Sequence, residues 1–118
     1  MVPVWVQHFD NTEWTATTGA WSSDHWESAG TNDSQIVLIP NGSWVTGYRP
    51  SKVRVTITGV PDVTLQIIDT GWANICNYPG YESLDEAVIS FTSYDIKSLS
   101  LYKNPGPYSV TNIEFYEE

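Results

Sequence analysis

Cysteine is almost absent from this 118-residue chain: Cys76 stands alone, so no intrachain disulfide forms. A protein secreted into a reducing, anaerobic setting also lacks disulfides, so the count leaves the compartment open. Basic residues are scarce. Five Lys and Arg face fourteen Asp and Glu, a net charge of −9. That balance argues against a nucleic-acid phosphate partner and against an anionic membrane surface. No apolar run approaches membrane-span length. No stretch keeps an apolar period of 3.6 over three turns, which predicts essentially no helix. His8 and His25 are the only histidines, and no Cys/His cluster offers a zinc site. No signal peptide is read, because Met1-Val2-Pro3 runs directly into patterned sequence. The expectation is a domain excised from a longer secreted chain.

What is present is apolar and aromatic. Hydrophobic residues make up 41% and charged residues only 16%, which excludes a disordered acidic tail. The length suits one domain, residues 1–118, with a core of its own. The chain is organised around Lys52 to Asp69. Val53, Val55 and Ile57 alternate with Arg54, Thr56 and Thr58; after Gly59-Val60-Pro61-Asp62, Val63, Leu65 and Ile67 alternate with Thr64, Gln66 and Ile68. Strict alternation marks strands covered on one side. Two such runs around a Gly/Pro/Asp loop predict an antiparallel hairpin.

Further strands are predicted at Val2–Phe9, Glu13–Thr18, Gln35–Ile39, Trp44–Val45, Glu86–Thr92, Ile96–Lys103 and Tyr108–Tyr116, with a turn at Asn104-Pro105-Gly106-Pro107. Gly19–Ser34 and Thr70–Asp85 read as long irregular stretches. Eight or nine short strands separated by Gly/Pro turns predict an all-β sandwich or barrel.

The motifs for catalysis are weak. Ser23-Asp24-His25 has the look of a triad fragment, but nothing in its spacing selects a nucleophile or an oxyanion hole. Cys76 reads as a small buried hydrophobe. Fourteen acids make some carboxylate pair inevitable, so a pair is no sign of a glycosidase. No catalytic residue is assigned, and no cofactor. Asp62, Asp69, Asp85 and Asp95 sit at strand ends where a structural calcium is conceivable. No Asp-x-Asp-x-Asp loop supports one, and turn capping is the commoner role.

The aromatics carry the signal. A pyranose ring has an apolar face of C–H groups that stacks on indole or phenol, while neighbouring polar side chains bond its hydroxyls. Trp21, Trp26, Trp72, Tyr78 and Tyr81 fall in the polar irregular stretches. Trp5, Trp14 and Trp44, on or beside strands, read as core filler. If strand parity continues past Asp69, Trp72 shares the outward side with Gln66 and Ile68. The candidate ligand-binding set is Trp72 as main platform, Trp26, Trp21 and Tyr78 as helpers, and Arg54 and Gln66 as hydroxyl partners.

The segments Tyr48–Val55, Leu65–Asp69, Ile96–Tyr102 and Tyr108–Tyr116 together resemble β-jelly-roll carbohydrate-binding modules appended to plant-cell-wall hydrolases of rumen and gut anaerobes, including cellulosomal ones. The likeness is one of strand order and style over most of the chain. It implies an antiparallel jelly-roll sandwich and a non-catalytic, extracellular, monomeric module. Such a module holds a parent glycoside hydrolase, present in cis, on β-glucan, glucomannan or a related neutral polysaccharide. It implies no nucleic-acid or membrane partner. The alternative is a protein-interaction or adhesin domain of a surface or phage-tail assembly, since exposed Trp and Tyr also make protein hot spots.

Overall fold

In a computed structural model the chain is described over residues 3–28, 34–59, 62–103 and 107–118. The middle of the expected 59–62 loop, most of the 104–107 turn and part of the 19–34 stretch lie outside the described residues. The described residues hold eleven strands and no helix. They are β1 (Val4–Gln7), β2 (Trp14–Thr18), β3 (Ala20–Ser22), β4 (His25–Glu27), β5 (Ser34–Pro40), β6 (Lys52–Thr58), β7 (Val63–Asp69), β8 (Asn74–Tyr81), β9 (Glu86–Val88), β10 (Ile96–Lys103) and β11 (Ser109–Glu117).

Two antiparallel sheets form a jelly-roll sandwich. The first runs β3-β4-β11-β6-β9, with β1 also on β11; the second runs β2-β5-β10-β7-β8. Strand β6 takes one edge of β11 from Ser109 to Tyr116. Strands β4 and β1 therefore share the other edge end to end, at Ser109–Val110 and Glu114–Glu117 respectively.

The alternation in β6 and β7 is correct in facing and wrong in pairing. Val53, Val55 and Ile57 and, from the other strand, Val63, Leu65 and Ile67 are all buried. Yet β6 pairs with β11 and β9, while β7 pairs with β10 and β8. The two strands belong to opposite sheets and meet through the core, so they are not a hairpin. Period-two alternation reports which side of a strand is covered and carries no label for its partner. Ile36 and Leu38 of β5, Leu99 and Leu101 of β10, and Ile113 and Phe115 of β11 complete the layer between the sheets.

Three strands, β3, β4 and β8, lie in stretches expected to be irregular. Gly19–Ser34 contains the β3–β4 hairpin, turned at Ser23 (φ 60°), with Trp21 opposite Trp26. Strands of three residues are too short to show a period. Thr70–Asp85 contains β8, whose pairing with β7 shifts register twice. Those shifts break the alternation on which a strand is recognised. Trp44–Val45 is not a strand but a run of turns, with Thr46 N donating to Ser43 O and Tyr48 N to Val45 O.

Tyr81 ties the sheets together. Its ring is fully buried; Val55 N donates to its hydroxyl at 2.7 Å, and the hydroxyl donates to the Asp85 carbonyl at 2.5 Å. Strand β9 stops opposite Arg54, so Val55 lies just beyond its reach. Tyr81→Phe is expected to orphan a buried backbone donor and cost about 1–3 kcal/mol. Urea unfolding should show the midpoint fall with an unchanged slope.

Candidate functional site

The two outer faces of the sandwich differ in chemistry. On the first sheet the polar side chains are paired with one another. Arg54 Nη2 lies 3.0 Å from Glu114 Oε1, and Lys52 Nζ lies 3.2 Å from Glu86 Oε1. The same two cations cover aromatic rings, Arg54 at 4.1 Å from the Trp5 centroid and Lys52 at 4.9 Å from that of Tyr116. Trp5 and Tyr116 are neighbours at 5.0 Å.

The second sheet presents amides and hydroxyls instead. Along β7 the outward residues are Thr64, Gln66 and Ile68. Register places Gln66 between Ser100 of β10 and Asn77 of β8, and its Nε2 donates to Asn77 Oδ1 at 3.1 Å. Ile68 lies between Ser98 and Asn74, and Thr64 lies beside Tyr102. Beyond β10, Val37 stands beside Ser100 and Gln35 beside Tyr102. None of these row residues is charged. Tyr102 is 39% exposed at one end.

Trp72 stands at the other end, 75% exposed. It occupies the turn from β7 to β8 with φ 69°, in the left-handed region that disfavours a side chain. The turn is held from beneath by Asp69, which is fully buried. Asp69 Oδ1 accepts from Gly71 N and Ala73 N, both at 2.9 Å, and Trp72 N donates to Asp69 O at 2.9 Å. A Cβ on Gly71 would fall 2.7 Å from the half-exposed Tyr94 ring, which would have to swing aside to admit it. Lys97 completes the arrangement, its Nζ 4.4 Å from the Trp72 centroid. A register shift between Ile96 and Ser98 makes room for this residue. Bulges commonly re-aim a side chain in this way. From Thr64, beside Tyr102, to Asp69, at the foot of the turn, is about 17 Å of strand.

Of the six residues expected in the site, only Trp72 and Gln66 share this face. Trp26 is 3% exposed and packs edge-on against Trp21 at 5.0 Å, and half-buried Trp21 leans on Phe9. As a pair facing each other across the β3–β4 hairpin, they pack on the core from the first sheet, away from the face that carries Gln66. Tyr78 is half-buried against Tyr81 at 5.2 Å, on the core side of β8. Nearby Asp85 holds its phenol above the usual range. Arg54 lies on the opposite sheet, engaged by Trp5 and Glu114. Among the residues read as core filler, Trp14 is buried and Trp44 stacks on His8 at 4.2 Å. Trp5 is the exception, half-buried beneath Arg54 on an outer face.

The sequence pattern does not single out Lys97, Tyr102, Asn77 or Ser100 as site residues. Parity alone puts Ser100 and Tyr102 outward, so that signal was available. The shifts that place Lys97 and Asn77 have no period to betray them.

The nucleophile motifs have structural roles. His25 offers Nδ1 to Asp24 (2.9 Å) and Nε2 to Glu27 (2.7 Å), leaving no ring nitrogen for a serine. Cys76 is buried, and burial pushes its thiol up to about 11, away from thiolate chemistry. The four strand-end acids each have partners. Asp62 meets Lys103, Asp69 and Asp85 cap turns, and Asp95 binds Arg49 and Gly47 N. An open cleft of about 340 Å³ lies elsewhere, beside Glu27, Thr58 and Tyr108. It offers no aromatic face, since Tyr108 is buried with its hydroxyl donating to the Leu101 carbonyl.

No family model matches the sequence, and no curated protein matches it significantly. Solved structures do match in fold. A family 29 carbohydrate-binding module from Piromyces equi aligns over 100% of this chain and 93% of its own, with TM-score 0.64 and 8% identity. A low-affinity xylan-binding module of family 86 from the gut symbiont Roseburia intestinalis aligns over 98% of this chain and 95% of its own, with TM-score 0.65 and 12% identity. A mutant of a second family 29 module aligns over 98% and 92%, with TM-score 0.61 and 7% identity. At these identities the likeness is one of fold, and this chain carries the β-jelly-roll fold of carbohydrate-binding modules.

Proposed function

We propose that the domain binds a neutral plant-cell-wall polysaccharide without cleaving it, laying the chain along the outer face of the second sheet with one sugar stacked on Trp72. One observation carries this reading. A tryptophan is held mostly in solvent, in a backbone conformation that costs roughly 1–2 kcal/mol, by a turn built on a buried aspartate. Strain of that kind persists where the surroundings over-determine it, and it concentrates at functional positions. The floor beside it suits sugar hydroxyls: Gln66, Asn77 and Ser100 both donate and accept. Its length of about 17 Å accommodates roughly three or four linked pyranose rings.

The ligand classes are β-glucan, glucomannan and, because the family 86 structural neighbour binds it, xylan. A charge of −9 disfavours polyuronates such as pectin. In this reading the domain is a monomer in an extracellular chain, keeping an appended glycoside hydrolase on its substrate. Affinity electrophoresis tests it directly. The domain should be retarded in native gels containing at least one of β-glucan, glucomannan and xylan, and should release no reducing sugar from any. Unretarded migration in all three would remove the reading; release of reducing sugar would make the domain a hydrolase.

A further inference from the structure

We infer that the Trp72 site reads an isolated carboxylate carried on an otherwise neutral polysaccharide, with Lys97 as the group that meets it; the inference rests on the carbohydrate reading above. Fourteen acids surround five bases in this chain, so a base has every opportunity to find a carboxylate. Four do so: Arg49 with Asp95 (3.0 Å), Lys52 with Glu86 (3.2 Å), Arg54 with Glu114 (3.0 Å) and Lys103 with Asp62 (3.3 Å). Among the described residues Lys97 alone has no acidic partner. It rests over an exposed indole instead, beside rows of side chains that carry no charge.

The arrangement leaves one positive charge beside the exposed indole, with no acidic side chain in contact with it among the described residues. A ligand carboxylate would supply the counter-charge. The net charge of −9 does not forbid this. Exposed charges farther apart than about 8 Å are largely screened at physiological salt. A sparse carboxylate at contact distance therefore responds first to the ammonium; of the acids nearest it, Asp95 is paired with Arg49 and the Asp69 Oδ1 is engaged by Gly71 N and Ala73 N. A polyuronate, charged on every ring, would meet those acids all along its length. The chemistry selected is a neutral backbone with occasional uronic-acid branches.

Two matched pairs of polymers test this: glucuronoxylan against its carboxyl-reduced form, and sparsely carboxymethylated β-glucan against unmodified β-glucan. In 50 mM NaCl the domain should be retarded about three- to tenfold more strongly by the acidic member of a pair it binds. The preference should shrink in 0.5 M NaCl. Lys97→Gln should bring the ratio of acidic to neutral binding to about one, whatever its absolute affinity, and Lys97→Arg should retain the ratio. Circular dichroism confirms that both variants are folded. Equal or weaker binding to the acidic polymers, or a preference that survives Lys97→Gln, overturns the inference and leaves neutral-glycan binding standing. Absence of binding to all four polymers and to glucomannan overturns both.

Discussion

Replacing Trp72 with glycine is expected to abolish polysaccharide binding and to leave the domain as stable as before. The binding side is large. A sugar face that covers roughly 100 Å² of indole contributes about 2.5 kcal/mol at 25 cal/mol/Å², close to a hundredfold in Kd. The stability side nearly cancels. Glycine relieves the left-handed strain at φ 69°, roughly 1–2 kcal/mol. It also adds about 0.5–1 kcal/mol of unfolded-state entropy. The lost contact with the Lys97 ammonium costs about another 0.5–1 kcal/mol. The melting temperature should thus stay within a few degrees. Trp72→Ala should bind equally poorly and melt lower than the glycine variant, because alanine keeps the strain without the ring. A glycine variant that unfolds would make Trp72 a structural residue. One that is retarded normally in polysaccharide gels would end its role as a platform.

Asp69→Ala should show the second large effect, on stability and binding together. The carboxylate sits at the base of the turn, fully buried, and Oδ1 serves two backbone donors. Alanine strips the acceptor from both and opens a small void, a loss of about 2–4 kcal/mol. For a domain of this size that corresponds to a melting point lower by roughly 10 °C. The turn that forces Trp72 into solvent loses its anchor, so binding should fall even at temperatures where the sandwich remains folded. Asp69→Asn is the informative partner. It keeps an acceptor at Oδ1, and the atom it converts, Oδ2, has no hydrogen-bond partner. It should melt within about 1 kcal/mol of the parent and bind normally. An alanine variant matching the parent in both thermal melts and gel retardation would show that the turn holds itself.

Arg54, Trp21 and Trp26 lie away from the Trp72 face for one reason. Arg54 and Gln66 occupy equivalent positions on adjacent runs, and in the sequence they read as one face. The chain between them joins strands of opposite sheets, so the two side chains leave the sandwich in opposite directions. Trp21 and Trp26 keep polar company in sequence, yet cross-strand pairing turns both rings toward the core. Composition of the neighbourhood along the chain is a poor guide to exposure when a three-residue hairpin folds over.

The amino-acid order by itself determined the all-β class, the inward sets Val53/Val55/Ile57 and Val63/Leu65/Ile67, and the outward placement of Gln66, Ser100 and Tyr102. It also marked Trp72 as an aromatic displaced from the core. These are local properties: strand geometry turns every second residue the same way, so burial leaves a period that survives in the sequence. Tertiary structure alone decided which sheet each strand joined, which aromatics were covered, and that Lys97 meets Trp72. Strand partners are chosen by contacts far apart in the chain. A one-residue bulge moves a side chain without altering composition, so neither choice leaves a repeating mark in the order of residues.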